Sequence, residues 1–324
     1  MYQKRLKTSK RNITLDDAFE KFINSCLVNK LSEYTIKNKK VAYQDFQKCL
    51  GENADIIYTN QLTDDTVDDY KLFLINKGNI SSTINEKIST IMSFFNYCFE
   101  RGWCEKLYVT YLQKEETFYE IYTDAELEKL LEKPDMTTSS YPHYRSWVMV
   151  NFLYSTGVRQ RTLINIKIED LDFKDNIIKL KVVKNKKQMY IPMSKHLKEV
   201  LQEYLFHREG KPEDYLFTDK YGNQLNSDVI RGALIRYNGR KKVETQGTHR
   251  FRHSFATHYI RNGGSVVDLQ HLLGHASLEE TQKYVNLLIT DLKEHNNNFN
   301  PLDNFVNKYR NNKKITIKMK KGGK

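Results

Sequence analysis

No stretch of this 324-residue chain is apolar for long enough to span a membrane. Met1 to Lys10 are basic and polar with no apolar segment behind them, so no secretory leader is read. Cysteine is scarce. Cys26, Cys49, Cys98 and Cys104 form no Cys-x-x-Cys and match no zinc spacing. They are expected to be buried, reduced thiols of a cytosolic protein. No internal repeat is present. An aromatic content of 12% and a hydrophobic content of 39% exclude global disorder. The length suits two ordinary domains or one large one.

The net charge of +12 points to a polyanionic partner, but the body of the chain lacks that excess. Residues 1–11 carry five Lys/Arg and no acid, and residues 308–324 carry eight and no acid. Residues 12–307 therefore sum to −1. A nucleic-acid-binding core must rely on local patches, and two exist. Residues 176–198 hold Lys179, Lys181, Lys184, Lys186, Lys187, Lys195 and Lys198 with no acid. Residues 231–261 hold eight Lys/Arg against Glu244 alone. Solvated faces would look similar, but these runs coincide with the residues singled out below.

Residues 14–103 read as four helices. Thr14, Ser32, Thr63 and Ser82 start them, and apolar residues follow at helical spacing. Residues 105–122 have no clear period and read as a linker. Thr123-Asp124-Ala125-Glu126 is a capping box that opens the next helix. An apolar segment, 143–157, ends at Gly157. Ile177 to Ile191 changes to a strand period and reads as an antiparallel hairpin around Asn185-Lys186-Lys187. Helices are expected near 194–208, 226–238, 248–262, 265–273 and 278–290. The expected fold is mostly α, with a helical N-terminal domain and an α+β C-terminal domain holding a small antiparallel sheet. The expected divisions are a basic segment 1–13, domains 14–104 and 123–292, the linker 105–122 and a basic tail 293–324.

The chemistry-bearing residues cluster in the C-terminal half. Ser155-Thr156-Gly157-Val158-Arg159 places an arginine where one helix ends and the next begins, a good anion site. Arg161 falls on the other side of that helix. The hairpin carries Lys184, Lys186 and Lys187, any of which could reach into a groove as a proton donor. His249-x-x-Arg252 puts both residues on one face of a first helical turn, with Thr248 as the expected cap. Phe251, Phe255 and Tyr259 are expected to face the core, and His253 and His258 to be structural or exposed. Leu272-Leu273-Gly274-His275 ends a helix, and Ser277-x-x-Glu280 caps the next, which carries Tyr284. The histidines 249, 253, 258, 271 and 275 lack an acidic partner at ligand spacing, so no metal site is read. Arginines and histidines that hold a phosphate, beside a phenol that attacks it, suit covalent phosphodiester chemistry.

This set resembles the tyrosine recombinases, the phage-integrase family. The match is H-x-x-R at His249 and Arg252, L-L-G-H ending at His275, and a tyrosine nine residues later, Tyr284. The resemblance covers residues 123–292, and more weakly back to residue 14. It implies a two-domain clamp around duplex DNA, of the simpler Xer-like type without an arm-site domain. It implies that Tyr284 is the nucleophile and forms a 3′-phosphotyrosyl bond. Arg159, Arg252 and His275 would hold the phosphate. His249 would hydrogen-bond it or help manage the Tyr284 proton. Lys184, counted back from Pro192, would protonate the leaving 5′-oxygen, with Lys186 and Lys187 as rivals. The family's acidic residue three positions after the first arginine is replaced here by Thr162.

The implied partners are double-stranded DNA with an inverted-repeat core site and a homo-tetramer on two DNA sites. An excisionase or DNA-bending factor is a candidate accessory. No membrane, metal, ATP or other cofactor is expected, and the expected location is cytoplasmic, with the nucleoid. Tail residues Leu302 and Phe305 are candidates for linking neighbours. Two other readings stay open: a topoisomerase-like relaxing enzyme with the same residues, and a non-catalytic DNA-binding regulator on the same scaffold.

Overall fold

The computed structural model describes residues 12–51, 56–113, 120–181, 188–244 and 247–286. These residues form two compact units that divide within the 114–119 stretch.

The first unit holds four helices: α1 (Leu15–Val28), α2 (Glu33–Leu50), α3 (Asp64–Asn76) and α4 (Ser81–Glu100). Three start where a side chain can satisfy an orphan N–H. Thr14 accepts from Asp17 N at 3.1 Å, Ser32 from Thr35 N at 3.2 Å, and Thr63 from Thr66 N at 3.3 Å. The fourth starts two residues earlier than Ser82 suggests. Ile80 holds the N-cap position without a side-chain bond, and Ser82 lies inside the helix. An aromatic nest fills the core. Phe19 stacks on Tyr43 with centroids 3.8 Å apart, and Phe94 meets both rings edge-on. All four cysteines are buried, and none forms a disulfide.

The stretch after α4 is not a free linker at its start. Cys104 and Leu107 are buried in this core, and Trp103 packs against it, edge-on to Tyr97. Asn85 then clamps the backbone of Leu112 in both directions, at 2.8 and 2.9 Å. Single anchors, rather than a helical period, tie residues 103–112 to the first unit.

The second unit is built around α6 (Tyr141–Thr156), whose apolar run leaves it buried on nearly every side. Packed around it are α5 (Asp124–Leu131), α8 (Lys195–Arg208), α9 (Ser227–Arg240) and α10 (Thr248–Arg261). Trp147 is 2% exposed and donates Nε1–H to the Leu131 carbonyl at 2.8 Å. The Thr123–Glu126 capping box forms, with Glu126 Oε2 accepting from Thr123 N at 2.8 Å.

Between α7 (Gln160–Asn165) and α8 lies a three-stranded antiparallel sheet: β1 (Leu171–Asp172), β2 (Ile177–Lys181) and β3 (Gln188–Pro192), in that order. Its register pairs Ile178 with Ile191 and Lys179 with Tyr190. Ile178, Leu180 and Ile191 are buried, so the two-residue period turns one sheet face to the core. The hairpin tip with Lys184, Lys186 and Lys187 lies outside the described residues. The chain continues through α11 (Val266–Leu273) and α12 (Leu278–Asn286).

Candidate active site

The site is assembled from helix ends. Gly157 closes α6 in the left-handed conformation, with φ of 60°, and Arg159 holds the N-cap position of α7. A side chain at 157 would collide with the side chains of Phe255 and Leu273. Gly274 ends α11 the same way, with φ of 61°, and releases the chain toward His275. Gly247, not Thr248, is the N-cap of α10. Thr248 is the first helical residue, and its hydroxyl donates to Gln160 Oε1 at 3.3 Å.

Arg252 is the hub. It is 5% exposed, and its two terminal nitrogens donate to the Gly157 and Leu273 carbonyls, each at 2.8 Å. One guanidinium thus bolts the end of α6 to the end of α11. Arg159 Nη1 reaches the same Leu273 carbonyl at 3.5 Å, which brings the two cations together. Burial first, and the Arg159 charge second, push the Arg252 pKa down to about 10, while Tyr284 acts to raise it. Two cations gathered at helix ends call for an anion between them. Arg159 and Arg161 are both exposed, and it is Arg159 that reaches the Leu273 carbonyl.

Tyr284 is 3% exposed and sits in a small cluster with Ala256, Ile260, Leu269 and Leu273. Phe255 and Tyr259 pack against that cluster, while Phe251 enters the main core. The Tyr284 hydroxyl lies 3.0 Å from Nδ1 of His253. His275 stacks on the Tyr284 ring, with centroids 6.3 Å apart and planes 11° from parallel. Its own Nδ1 lies 2.8 Å from the Thr281 hydroxyl. His249 is exposed, one helical turn before His253, with ring centroids 6.3 Å apart. Burial, then the Arg252 and Arg159 charges, lower the His249 pKa. His253 and His275 are both pushed down to about 4, mainly by burial.

Arg159, His249, Arg252, His275 and Tyr284 therefore converge, and Lys184 lies outside the described residues. His253, read from the sequence as structural or exposed, is half-buried with Nδ1 in contact with the Tyr284 hydroxyl. Its spacing of four from His249, which puts both on one helix face, was the available signal. His258 is structural, buried with Nδ1 2.9 Å from the Tyr154 hydroxyl. Among the described residues, no group of three His, Cys, Asp or Glu side chains is arranged to hold a metal ion.

A phenol in contact with an imidazole, beside paired arginines, is equipped for covalent phosphoryl transfer. Residues 120–290 match the Phage integrase family, and residues 14–116 match the Phage integrase SAM-like domain. Tyrosine recombinase XerC of Thermodesulfovibrio yellowstonii is 30% identical over 238 residues, which span 70% of this chain and 78% of that one. Tyrosine recombinase XerD of Staphylococcus haemolyticus is 27% identical over 297 residues, 89% of this chain and 99% of its own. The crystal structure of the XerH site-specific recombinase, a post-cleavage complex on palindromic difH substrate, shares the fold. Its TM-score is 0.67 at 20% identity, covering 86% of this chain and 83% of that one.

The chain belongs to the phage integrase family. Its activity is that of a tyrosine-type site-specific DNA recombinase.

Proposed function

We propose that Tyr284 cleaves DNA by attacking a backbone phosphate, forming a 3′-phosphotyrosyl ester and releasing a 5′-hydroxyl. The 5′-hydroxyl of a partner strand then attacks the ester and rejoins the DNA. The phosphotyrosyl ester conserves the energy of the broken bond, so the cycle consumes no ATP. The observation that carries this reading is the Tyr284 phenol, buried against the imidazoles of His253 and His275 beside the Arg252 guanidinium.

Arg252 and Arg159 stabilise the charge that builds on the phosphate. Arg252 needs no reorganisation, because its orientation is fixed by two main-chain carbonyls. In the tautomer whose Nδ1 accepts from the Thr281 hydroxyl, 2.8 Å away, His275 carries its proton on Nε2 and offers it to a phosphate oxygen. His249, on the side of the two arginines, is a further phosphate donor. Lys184 protonates the leaving 5′-oxygen.

The first unit is a core-site DNA-binding module and the second the catalytic one. The substrate is duplex DNA with inverted half-sites, since half-site symmetry follows protein symmetry. Four protomers on two such sites form the synapse, and the basic tail links neighbours. An excisionase or bending factor assists, and the protein works in the cytoplasm at the nucleoid.

The test is Tyr284→Phe on a nicked suicide duplex, built from half-sites that the wild-type chain selects out of a randomised duplex pool. The ring is buried and still packs, so DNA binding by gel shift persists while the covalent adduct disappears. A protein–DNA adduct formed by the Phe variant refutes the assignment.

A further inference from the structure

We propose that His253 is the general base that removes the phenolic proton of Tyr284, an assignment that rests on the reading of Tyr284 as nucleophile. Three histidines surround the phenol or its phosphate, and geometry separates their roles. His253 Nδ1 lies 3.0 Å from the Tyr284 hydroxyl, within direct proton-transfer distance. His275 lies nearly parallel to the Tyr284 ring, with planes 11° apart and centroids 6.3 Å apart, and it is the Nδ1 of His253 that meets the phenolic hydroxyl. The His275 Nδ1 is engaged by Thr281. His249 is exposed and feels the Arg252 and Arg159 charges, which places it on the phosphate side.

The surroundings of His253 keep it an acceptor. His249 and Arg252 on α10, and His275 between α11 and α12, face it together with Tyr284 on α12. Burial, then His249, Arg252 and His275, push its pKa down to about 4, so the ring is neutral at neutral pH, and in its Nε2–H tautomer Nδ1 is the acceptor that faces the phenol. A DNA phosphate arriving beside Arg252 offsets the cation that depresses His253.

The step balances. The Tyr284 O–H bond breaks and its proton passes to Nδ1, giving an imidazolium. The phenolic oxygen bonds to phosphorus, and the P–O5′ bond breaks. The departing 5′-oxygen takes its proton from the hairpin lysine proposed above. In rejoining, an incoming 5′-hydroxyl returns a proton to that lysine, and His253 gives its proton back to the phenolate.

The experiment measures single-turnover adduct formation by the full chain on the selected suicide duplex, as a function of pH. His253→Asn places an amide oxygen near the Nδ1 position, so it keeps a hydrogen bond to Tyr284 but cannot accept a proton. At pH 7 it should react ~100-fold or more slowly, the usual scale of lost general-base catalysis. Its rate should then climb about tenfold per pH unit as hydroxide replaces the base, where the wild type is flat. His253→Ala should recover activity when imidazole is added. Gel shift on the same duplex checks that each variant still binds. A His253→Asn profile parallel to wild type, at any rate, reduces His253 to a packing residue and overturns the proposal. So does a His253→Ala variant that binds DNA but ignores imidazole. If the wild type forms no Tyr284 adduct at all, the nucleophile assignment falls and this one with it.

Discussion

Replacing Gly157 by alanine should damage both stability and chemistry, and the size of the effect follows from two geometric facts. The residue has φ of 60°, where an L side chain costs about 1–2 kcal/mol. A Cβ at 157 would also lie 2.4 Å from Phe255 Cδ1 and 2.9 Å from Leu273 Cδ2. Forcing apart packed side chains adds ~1–3 kcal/mol. The sum, about 2–5 kcal/mol, corresponds to a drop in Tm of roughly 4–20 °C for a domain of about 150–250 residues.

Gly274→Ala is the matched control. It has φ of 61°, but its added Cβ would meet only Met189, with Sδ at 3.0 Å and Cε at 3.7 Å. That thioether is flexible, so only the backbone cost of about 1–2 kcal/mol is expected. Thermal unfolding followed by circular dichroism compares the two. The Gly157 variant should also cleave DNA more slowly at temperatures where it stays folded, because the displaced carbonyl is one of the two that orient Arg252. Equal Tm shifts for the two variants would refute the steric argument. A stable, fully active Gly157→Ala would refute both parts of it.

Lys184→Ala should be slow on ordinary DNA and near wild type on a substrate with a 5′-bridging sulfur, because a thiolate leaves without a proton. Lys186→Ala and Lys187→Ala should show no such selective rescue; if Lys186 shows it instead, the hairpin register is off by two. The DNA-free protein should lose stability as pH falls from about 6.5 toward 4. His253 and His275 are held down to about 4 in the fold, so in this window the unfolded chain binds more protons. A His253→Asn/His275→Asn double variant should flatten the Tm–pH curve there, and an unchanged slope would contradict the linkage. Together with the Tyr284→Phe and His253→Asn experiments, these measurements probe each group around the phenol.

Helix starts were legible in the sequence wherever a hydroxyl does the capping, as at Thr14, Ser32, Thr63 and Thr123. They were misplaced where it does not, by two residues at Ile80 and by one at Gly247. The packing of Leu107 and the clamp on Leu112 escaped notice because two anchors on an extended segment leave no period to read. Arg159, Arg252, His275 and Tyr284 stood out because each lies at a fixed distance from a helix end or from its partner. His253 did not, since a histidine beside an arginine has no meaning until the phenol is seen against it. The carbonyls of Gly157 and Leu273 were invisible for a deeper reason. They are main-chain atoms that every residue type supplies, so no side chain announces them.

The two tryptophans fall one to each unit, Trp103 against the first core and Trp147 inside the second. Their indoles report on different surroundings: Trp103 lies edge-on to Tyr97 with the Arg101 guanidinium 5.8 Å away, and Trp147 is sealed in apolar packing. Intrinsic fluorescence therefore carries two separable signals. With excitation at the red edge of tryptophan absorption, where the 21 tyrosines stay dark, Trp147→Phe leaves emission from the first unit alone, and Trp103→Phe leaves it from the second. Denaturant curves of the two variants follow the loss of each core individually, and their coincidence or offset measures how far the halves of this recombinase melt as one cooperative body.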